Sequence, residues 1–223
     1  MLATNTTKSW EIIHAVEFEK RKPKNDSPEV LNSEILLDKD KVLLSITDTK
    51  GVITYCNEDF VTVSGYQEWE LAGVAHNIVR HPDMPKFIFK FMWQRIQNKD
   101  NIIAIVKNLA KSGKYYWVMT DFVVLEDNLG NITGYKAYRK PAPRKAIETI
   151  APIYEKLCKI ENARGVSAAE SFFIGYLDSL NVTYDDFIES LIIDSSEQEK
   201  QVLDNKPKTK AERKSFFKKL FGY

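Results

Sequence analysis

The sequence predicts an α+β domain, a five-stranded antiparallel sheet with helices on one face, followed by C-terminal helices. Three observations predict it. Short apolar runs at residues 42–46, 52–55, 102–108, 115–125 and 132–139 read as strands. The turns between them carry Gly, Asp and Asn, as in Asp48-Thr49-Lys50-Gly51, Lys111-Ser112-Gly113 and Asp127-Asn128-Leu129-Gly130-Asn131. Residues 57–97, between the second and third strands, have helical spacing instead. The order is two strands, helices, then three strands, which segregates the helices to one side of the sheet. A pocket between a sheet and helices that cross it suits a ligand.

Taken in order, residues 8–21 form an amphipathic helix with Trp10, Ile13, Val16 and Phe18 on its stripe and Thr6 or Thr7 as cap. Pro23 and Pro28 break the linker that follows. Short helical turns cover 57–63 and 67–71, split by Gly65 and ended by Gly73. Pro85 suits the first turn of a helix reaching Gln97, whose face is Phe87, Ile88, Phe91, Met92 and Ile96. Beyond Pro141 and Pro143 the stripe Ile147, Ile150, Ile153, Tyr154 and Leu157 marks a helix to about Ile160. Residues 167–180 and 184–193 form a helical pair that packs on the domain or on a partner. Residues 194–210 are polar and weakly patterned, as in a linker. The expected divisions are 1–39 (helix and linker), 40–140 (the α+β domain), 141–193 (helical extension) and 194–223 (linker and basic tail).

Composition narrows the function. The 223 residues are 43% hydrophobic and 28% charged, values of a globular protein of one core domain with extensions. A net charge of +1 gives no electrostatic footprint for nucleic acid. Cys56 and Cys158 have no zinc-type spacing and read as packing thiols in a reduced compartment. No signal peptide and no run of ~20 apolar residues is present, so a cytoplasmic protein is expected, free or at the inner membrane face. No P-loop, GxSxG, HExxH or kinase motif is found, so no enzyme and no metal site is expected.

Several pieces occur together, in order: Asn57 after the second strand, Val63-Ser64-Gly65-Tyr66, the block His76-Asn77-Ile78-Val79-Arg80-His81-Pro82-Asp83-Met84-Pro85, Met92-Trp93, Ile105-Val106-Lys107-Asn108, Tyr116-Trp117-Val118, and Gly134-Tyr135 before Arg139. Over roughly residues 40–140 this closely resembles the FAD-binding PAS domains of bacterial aerotaxis and energy-taxis receptors. The resemblance implies a PAS fold holding FAD non-covalently and reporting redox or electron-transport status to a chemotaxis partner. Carried over by position, it implies cofactor contacts at Asn57, Arg80, His81, Asp83, Trp93 and Asn108.

The residue types suit that cofactor. Arg80 offers a fork of donors to phosphate. Asn108 can donate to and accept from the polar edge of a flavin ring. Trp93 supplies flat apolar area. His81 can hydrogen-bond and change charge near neutrality. Asp83 can accept from an adenosine hydroxyl or hold Arg80. Each has a plainer alternative: Arg80 and Asp83 pair and brace the loop, His81 is satisfied by backbone, Trp93 is core, and Asn57 only caps a helix. Trp117 reads as sheet packing.

Where the family usually has a Trp and a small Gly before Val-Lys-Asn, this chain has Asn101-Ile102-Ile103-Ala104, which removes an aromatic wall. No cysteine lies in residues 77–85, so a thiol photoadduct of the blue-light type is not expected. Two other readings stay open: a haem or small-ligand PAS sensor with His76 or His81 as axial ligand, and a ligand-free PAS adaptor.

No output domain fits in the roughly 80 residues after the PAS-like stretch. The resemblance therefore implies a sensing half that signals to a separate membrane chemoreceptor with a HAMP segment, and pairs, if it dimerises, through flanking helices. The tail from Lys206 to Tyr223 puts Phe216, Phe217, Leu220 and Phe221 on one helical face, ringed by Lys and Arg. Three arrangements suit it: an anionic membrane surface, a partner groove, or its own domain.

Overall fold

The computed structural model describes residues 28–193 and 210–222. The helix expected at 8–21 and nearly all of the linker expected over 194–210 lie outside the described residues.

Five strands form one sheet: β1 Leu43–Thr47, β2 Ile53–Cys56, β3 Ile102–Leu109, β4 Tyr115–Glu126 and β5 Ile132–Pro141. Their order is β2-β1-β5-β4-β3, and every neighbouring pair is antiparallel. The turns form for local reasons. Asp48 Oδ1 accepts from the backbone N–H of Lys50 (2.8 Å) and Val52 (2.9 Å), closing the β1–β2 hairpin. Asp127 does the same for Leu129 and Asn131 between β4 and β5, each at 2.9 Å or less. Both are side-chain mimics of a backbone turn.

Between β2 and β3 lie α1 Glu58–Ser64, α2 Glu68–Leu71, a 3-10 turn His76–Val79, and α3 Lys86–Gln97. Pro85 precedes α3 as its cap residue rather than lying within its first turn. After β5 come α4 Arg144–Arg164, α5 Val166–Ser179 and α6 Tyr184–Ile193; α7 spans Lys210–Phe221.

Strand pleating sorts the sheet into two faces. Ser45 and Thr47 of β1, Val106 and Asn108 of β3, Thr120 and Phe122 of β4, and Tyr135, Ala137 and Arg139 of β5 share the inner side, facing α3 and the 3-10 turn. Trp117, of opposite parity in β4, stacks on Tyr154 of α4 with centroids 6.4 Å apart. So α4 crosses to the outer side, and the C-terminal helices do not share one face with α1–α3. They wrap the β3 edge: α5 meets α3 through Phe173–Phe87 (5.8 Å) and Glu170–Lys90 (2.8 Å). In α6, Tyr184 reaches Phe91 (4.9 Å) and Asp185 pairs with Arg95 (3.1 Å).

The cause is the edge itself. An edge strand has carbonyls with no ladder partner. The Tyr154 hydroxyl donates to Ile105 O at 2.9 Å and the Tyr184 hydroxyl to Ile103 O at 3.2 Å. Residues 31–35 run alongside differently, bonding to Gly113 in the β3–β4 turn and to Tyr115 at the start of β4, beyond the end of β5. In α7, Phe217 and Phe221 are buried and the helix contacts β5. The tail thus folds back on its own domain, one of the three arrangements open to it. No helix among the described residues is long and apolar enough to cross a membrane.

Candidate functional site

The inner side of the sheet encloses a cavity of about 290 Å3. That is close to the lower end of ligand pockets and suits one flat ring system better than a whole dinucleotide. Its floor is the sheet. Its walls are Phe89, Met92, Trp93 and Ile96 of α3, the 3-10 turn with His76 and Arg80, and the hairpin residues Lys50 and Gly51.

Of the residues expected to contact a cofactor, three line this cavity: Arg80, Trp93 and Asn108. Trp93 meets Tyr135 edge-on at 5.4 Å. Its indole presses on Gly51, where an added Cβ would come within 2.8 Å of the ring and the backbone φ is +80°. Only glycine suits both conditions. Arg80 donates to Met84 O at 3.2 Å and stacks over Phe89 with its guanidinium carbon 4.6 Å from the ring centroid. A backbone bridge between Arg80 and Asn108 ties this loop to β3.

Asn57, His81 and Asp83 are not among the lining residues. Asn57 makes three hydrogen bonds within the frame: its Oδ1 accepts from Leu44 N (2.9 Å) and Phe60 N (3.0 Å), and its Nδ2 donates to Val42 O (2.7 Å). It caps α1 and fastens it to β1. The His81 ring is buried, and its Nδ1 accepts from Asp83 N at 3.1 Å. Burial and the Lys107 ammonium push its pKa down to about 4, so it is neutral at pH 7. Asp83 pairs with Lys107 at 2.7 Å, outside the cavity, so the Arg80–Asp83 pairing weighed as an alternative does not form.

Four buried polar atoms among the described residues have no hydrogen-bond partner: His81 Nε2, Asn108 Nδ2, the Tyr116 hydroxyl and Thr120 Oγ1. Asn108 and Thr120 line the cavity. An unmet buried polar group costs ~1–3 kcal/mol, so these two side chains on one wall are where a bound molecule or a water would find hydrogen-bonding groups.

The buried charge on that wall is Arg139, which closes the Gly134-Tyr135 motif without being marked there as a contact residue. Arg139 is 3% exposed and donates to Ser45 Oγ (2.9 Å), Ala137 O (3.3 Å) and His76 Nε2 (2.9 Å). Ser45 Oγ is also 3.1 Å from that nitrogen. Because a guanidinium only donates, His76 Nε2 accepts, and the neutral ring carries its proton on Nδ1. Burial, then the charge of Arg139, push the His76 pKa down to about 3. Burial lowers Arg139 to about 10, and it stays charged at pH 7. The signal was present in the alternation: Tyr135, Ala137 and Arg139 share the inward parity, and a charge there is unusual.

These details bear on the possible ligands. A flat ring with a polar edge fits the aromatic and aliphatic walls beside Asn108 and Thr120, with Arg80 at the rim for an attached phosphate. Haem fits less well. His76 Nε2 is engaged, and His81 Nε2, the histidine nitrogen left without a partner, lies outside the lining. Ile102 and Ala104 do not line the cavity either. Burial raises the Cys56 and Cys158 thiols to about 11, so neither is a reactive thiolate at neutral pH. Among the described residues no group of three or more His, Cys, Asp or Glu is placed to hold a metal ion.

Fold and cavity define a class. Residues 53–139 match the sequence model of the PAS fold, and the chain carries a PAS domain. More particularly, it is 41% identical over 130 residues to the aerotaxis receptor of Escherichia coli (strain K12), covering 58% of this chain and 26% of the receptor. It is 24% identical over 132 residues to the bacterioopsin transcriptional activator of Halobacterium salinarum, covering 56% of this chain and 20% of that protein. Over 105 residues it is 25% identical to the nitrogen fixation regulatory protein of Klebsiella pneumoniae, covering 47% and 21%. The match thus spans about a quarter or less of each of these relatives. Among solved structures, the light state of the blue-light photoreceptor Aureochrome1 LOV superposes with a TM-score of 0.46 at 18% identity, covering 49% of this chain and 88% of that one.

Proposed function

We propose that this chain is a redox or energy sensor that holds FAD in its PAS cavity and signals to a separate taxis transducer. The observation that carries the reading is the inner wall of the sheet. Two buried polar atoms, Asn108 Nδ2 and Thr120 Oγ1, have no hydrogen-bond partner within 3.5 Å there, beside Trp93, Phe89 and Phe122, and the Asn108 amide faces the Tyr116 hydroxyl across the β3–β4 ladder. The 41% identity to an aerotaxis receptor supports the choice of a flavin and of a taxis partner.

In this reading the ring system enters the cavity, Asn108 and Thr120 meet its polar edge, and Arg80 holds the pyrophosphate at the rim. FAD supplies the electron-accepting ring; the protein supplies position and charge. A change in the ring moves the protein only by its different affinity for two arrangements. The 80–85 loop is the route outward, because α4 grips it. Cys158 Sγ lies 3.2 Å from Asp83 O, and the Glu161 carboxylate accepts from Lys86 N (2.9 Å) and Phe87 N (2.7 Å). An anion at a helix N-terminus is favourable, so Glu161 docks α4 on α3. The transducer, a membrane chemoreceptor with a HAMP segment, then reads the position of α4–α6.

An absorption spectrum of the purified protein after reconstitution with FAD tests this. The expected result is a bound flavin spectrum that bleaches with dithionite. A Soret band identifies a haem sensor instead, and a folded protein that retains no chromophore is a ligand-free adaptor.

A further inference from the structure

Arg139 is a buried cation without a buried anion. Among the described residues no carboxylate lies within ion-pair distance of it. Its partners are a hydroxyl, a carbonyl, a neutral imidazole and the face of the Phe60 ring, 5.3 Å from the guanidinium carbon, and none of them carries a negative charge. The titratable groups beside it are His76, Tyr116 and Cys56, and all are neutral at pH 7. Directly across the β4–β5 ladder stands Thr120, whose hydroxyl has no partner. A buried guanidinium is usually paired, because desolvating it alone is costly. Here Arg139, Ser45, His76 and Thr120 all line the cavity, so the compensating charge can come from what the cavity holds.

We infer that Arg139 is the charge-compensating residue of the cavity, and that the part of the ligand beside it carries or acquires negative charge. This rests on the flavin reading and adds to it which form of the flavin the cavity favours. Two electrons from a reductant and one proton from solvent leave a neutral flavin ring with one negative charge. Arg139 offers that charge a counter-ion without giving up a proton. Ser45 and His76 are positioning residues: they hold the guanidinium in place and, being neutral, do not oppose the charge. Arg139 thereby raises the midpoint potential of the bound flavin, the quantity a redox sensor must tune.

The test is spectroelectrochemical titration of the FAD-reconstituted full chain, with flavin content measured first. In Arg139→Gln the ratio of reduced to oxidised flavin at fixed potential should fall at least tenfold, about 30 mV for a two-electron couple. Arg139→Lys, which keeps the charge, should stay nearer the unaltered protein. Bound flavin with an unchanged potential in Arg139→Gln overturns the inference alone. An unaltered protein that binds no flavin overturns the flavin reading and this inference with it. If Arg139→Gln does not fold, the pH dependence of the unaltered protein decides. Uptake of one proton per two electrons at pH 6 supports a compensated anion; two protons per two electrons there overturn it.

Discussion

The inner wall of the sheet and its β3 edge hold their polar groups in opposite states. Along the edge, carbonyls are capped by the hydroxyls of Tyr154 and Tyr184, the first N–H groups of α3 are taken by Glu161, and Asp83 is paired with Lys107. On the inner wall, Asn108 Nδ2 and Thr120 Oγ1 lack partners and Arg139 lacks a counter-ion among the described residues. The edge finds its partners within the chain, whereas the wall leaves polar groups that the proposed ligand would meet. The same division separates two asparagines that look alike in the sequence. Asn57 makes three hydrogen bonds and belongs to the frame, while Asn108 keeps an unmet donor in the cavity.

That contrast can be broken by substitution. Asn57→Ala should cost the most, about 3 kcal/mol, from three lost hydrogen bonds of ~1 kcal/mol each. Urea denaturation reads this, and the flavin bound per folded molecule should not change. A selective loss of flavin at unaltered stability would move Asn57 back into the site.

Next comes pH. His76 and His81 are neutral when folded, with pKa values of about 3 and about 4, below the unfolded value of 6.5. The unfolded chain therefore binds more protons below pH 6.5, and stability falls as pH falls from there toward about 4. Between pH 7 and pH 5 each contributes a loss of up to about 2 kcal/mol. A urea midpoint that does not fall over that interval would show that both rings are protonated in the fold.

At the edge, Tyr154→Phe should cost about 1 kcal/mol or somewhat more, because Ile105 O stays buried after its donor is removed. On the wall, Thr120→Val should change the stability of the ligand-free domain by less than about 0.5 kcal/mol, or raise it, since that hydroxyl has no partner to lose. Flavin retention should nonetheless weaken. Comparable costs for the two substitutions, measured by thermal unfolding without flavin, would erase the difference between edge and wall.

Much of this was legible in the sequence. Alternation and Gly/Asp turns mark all five strands, and the family resemblance, not the apolar stripe of α3, is what points to Trp93 as a cavity residue. Neighbours inside a turn are another matter. Arg80, His81 and Asp83 lie within one turn of the chain, yet of the three only Arg80 lines the cavity, because a turn has no fixed side-chain period. Arg139 was passed over as the end of a motif, although its parity with Tyr135 and Ala137 marked it as inward. The wrapping of α4–α6 around β3 depends on which carbonyls the edge leaves open, a tertiary fact that helical stripes do not carry.

The most direct measurement is the thermal midpoint of flavin-free protein with and without saturating FAD, for the unaltered chain and for Asn108→Ala. Ligand that binds only the folded state must raise the midpoint. A wall built for the flavin predicts a clear rise in the unaltered chain and a much smaller one in Asn108→Ala, whose midpoint without FAD is unchanged or higher. Equal rises in both, or none in either, would contradict it.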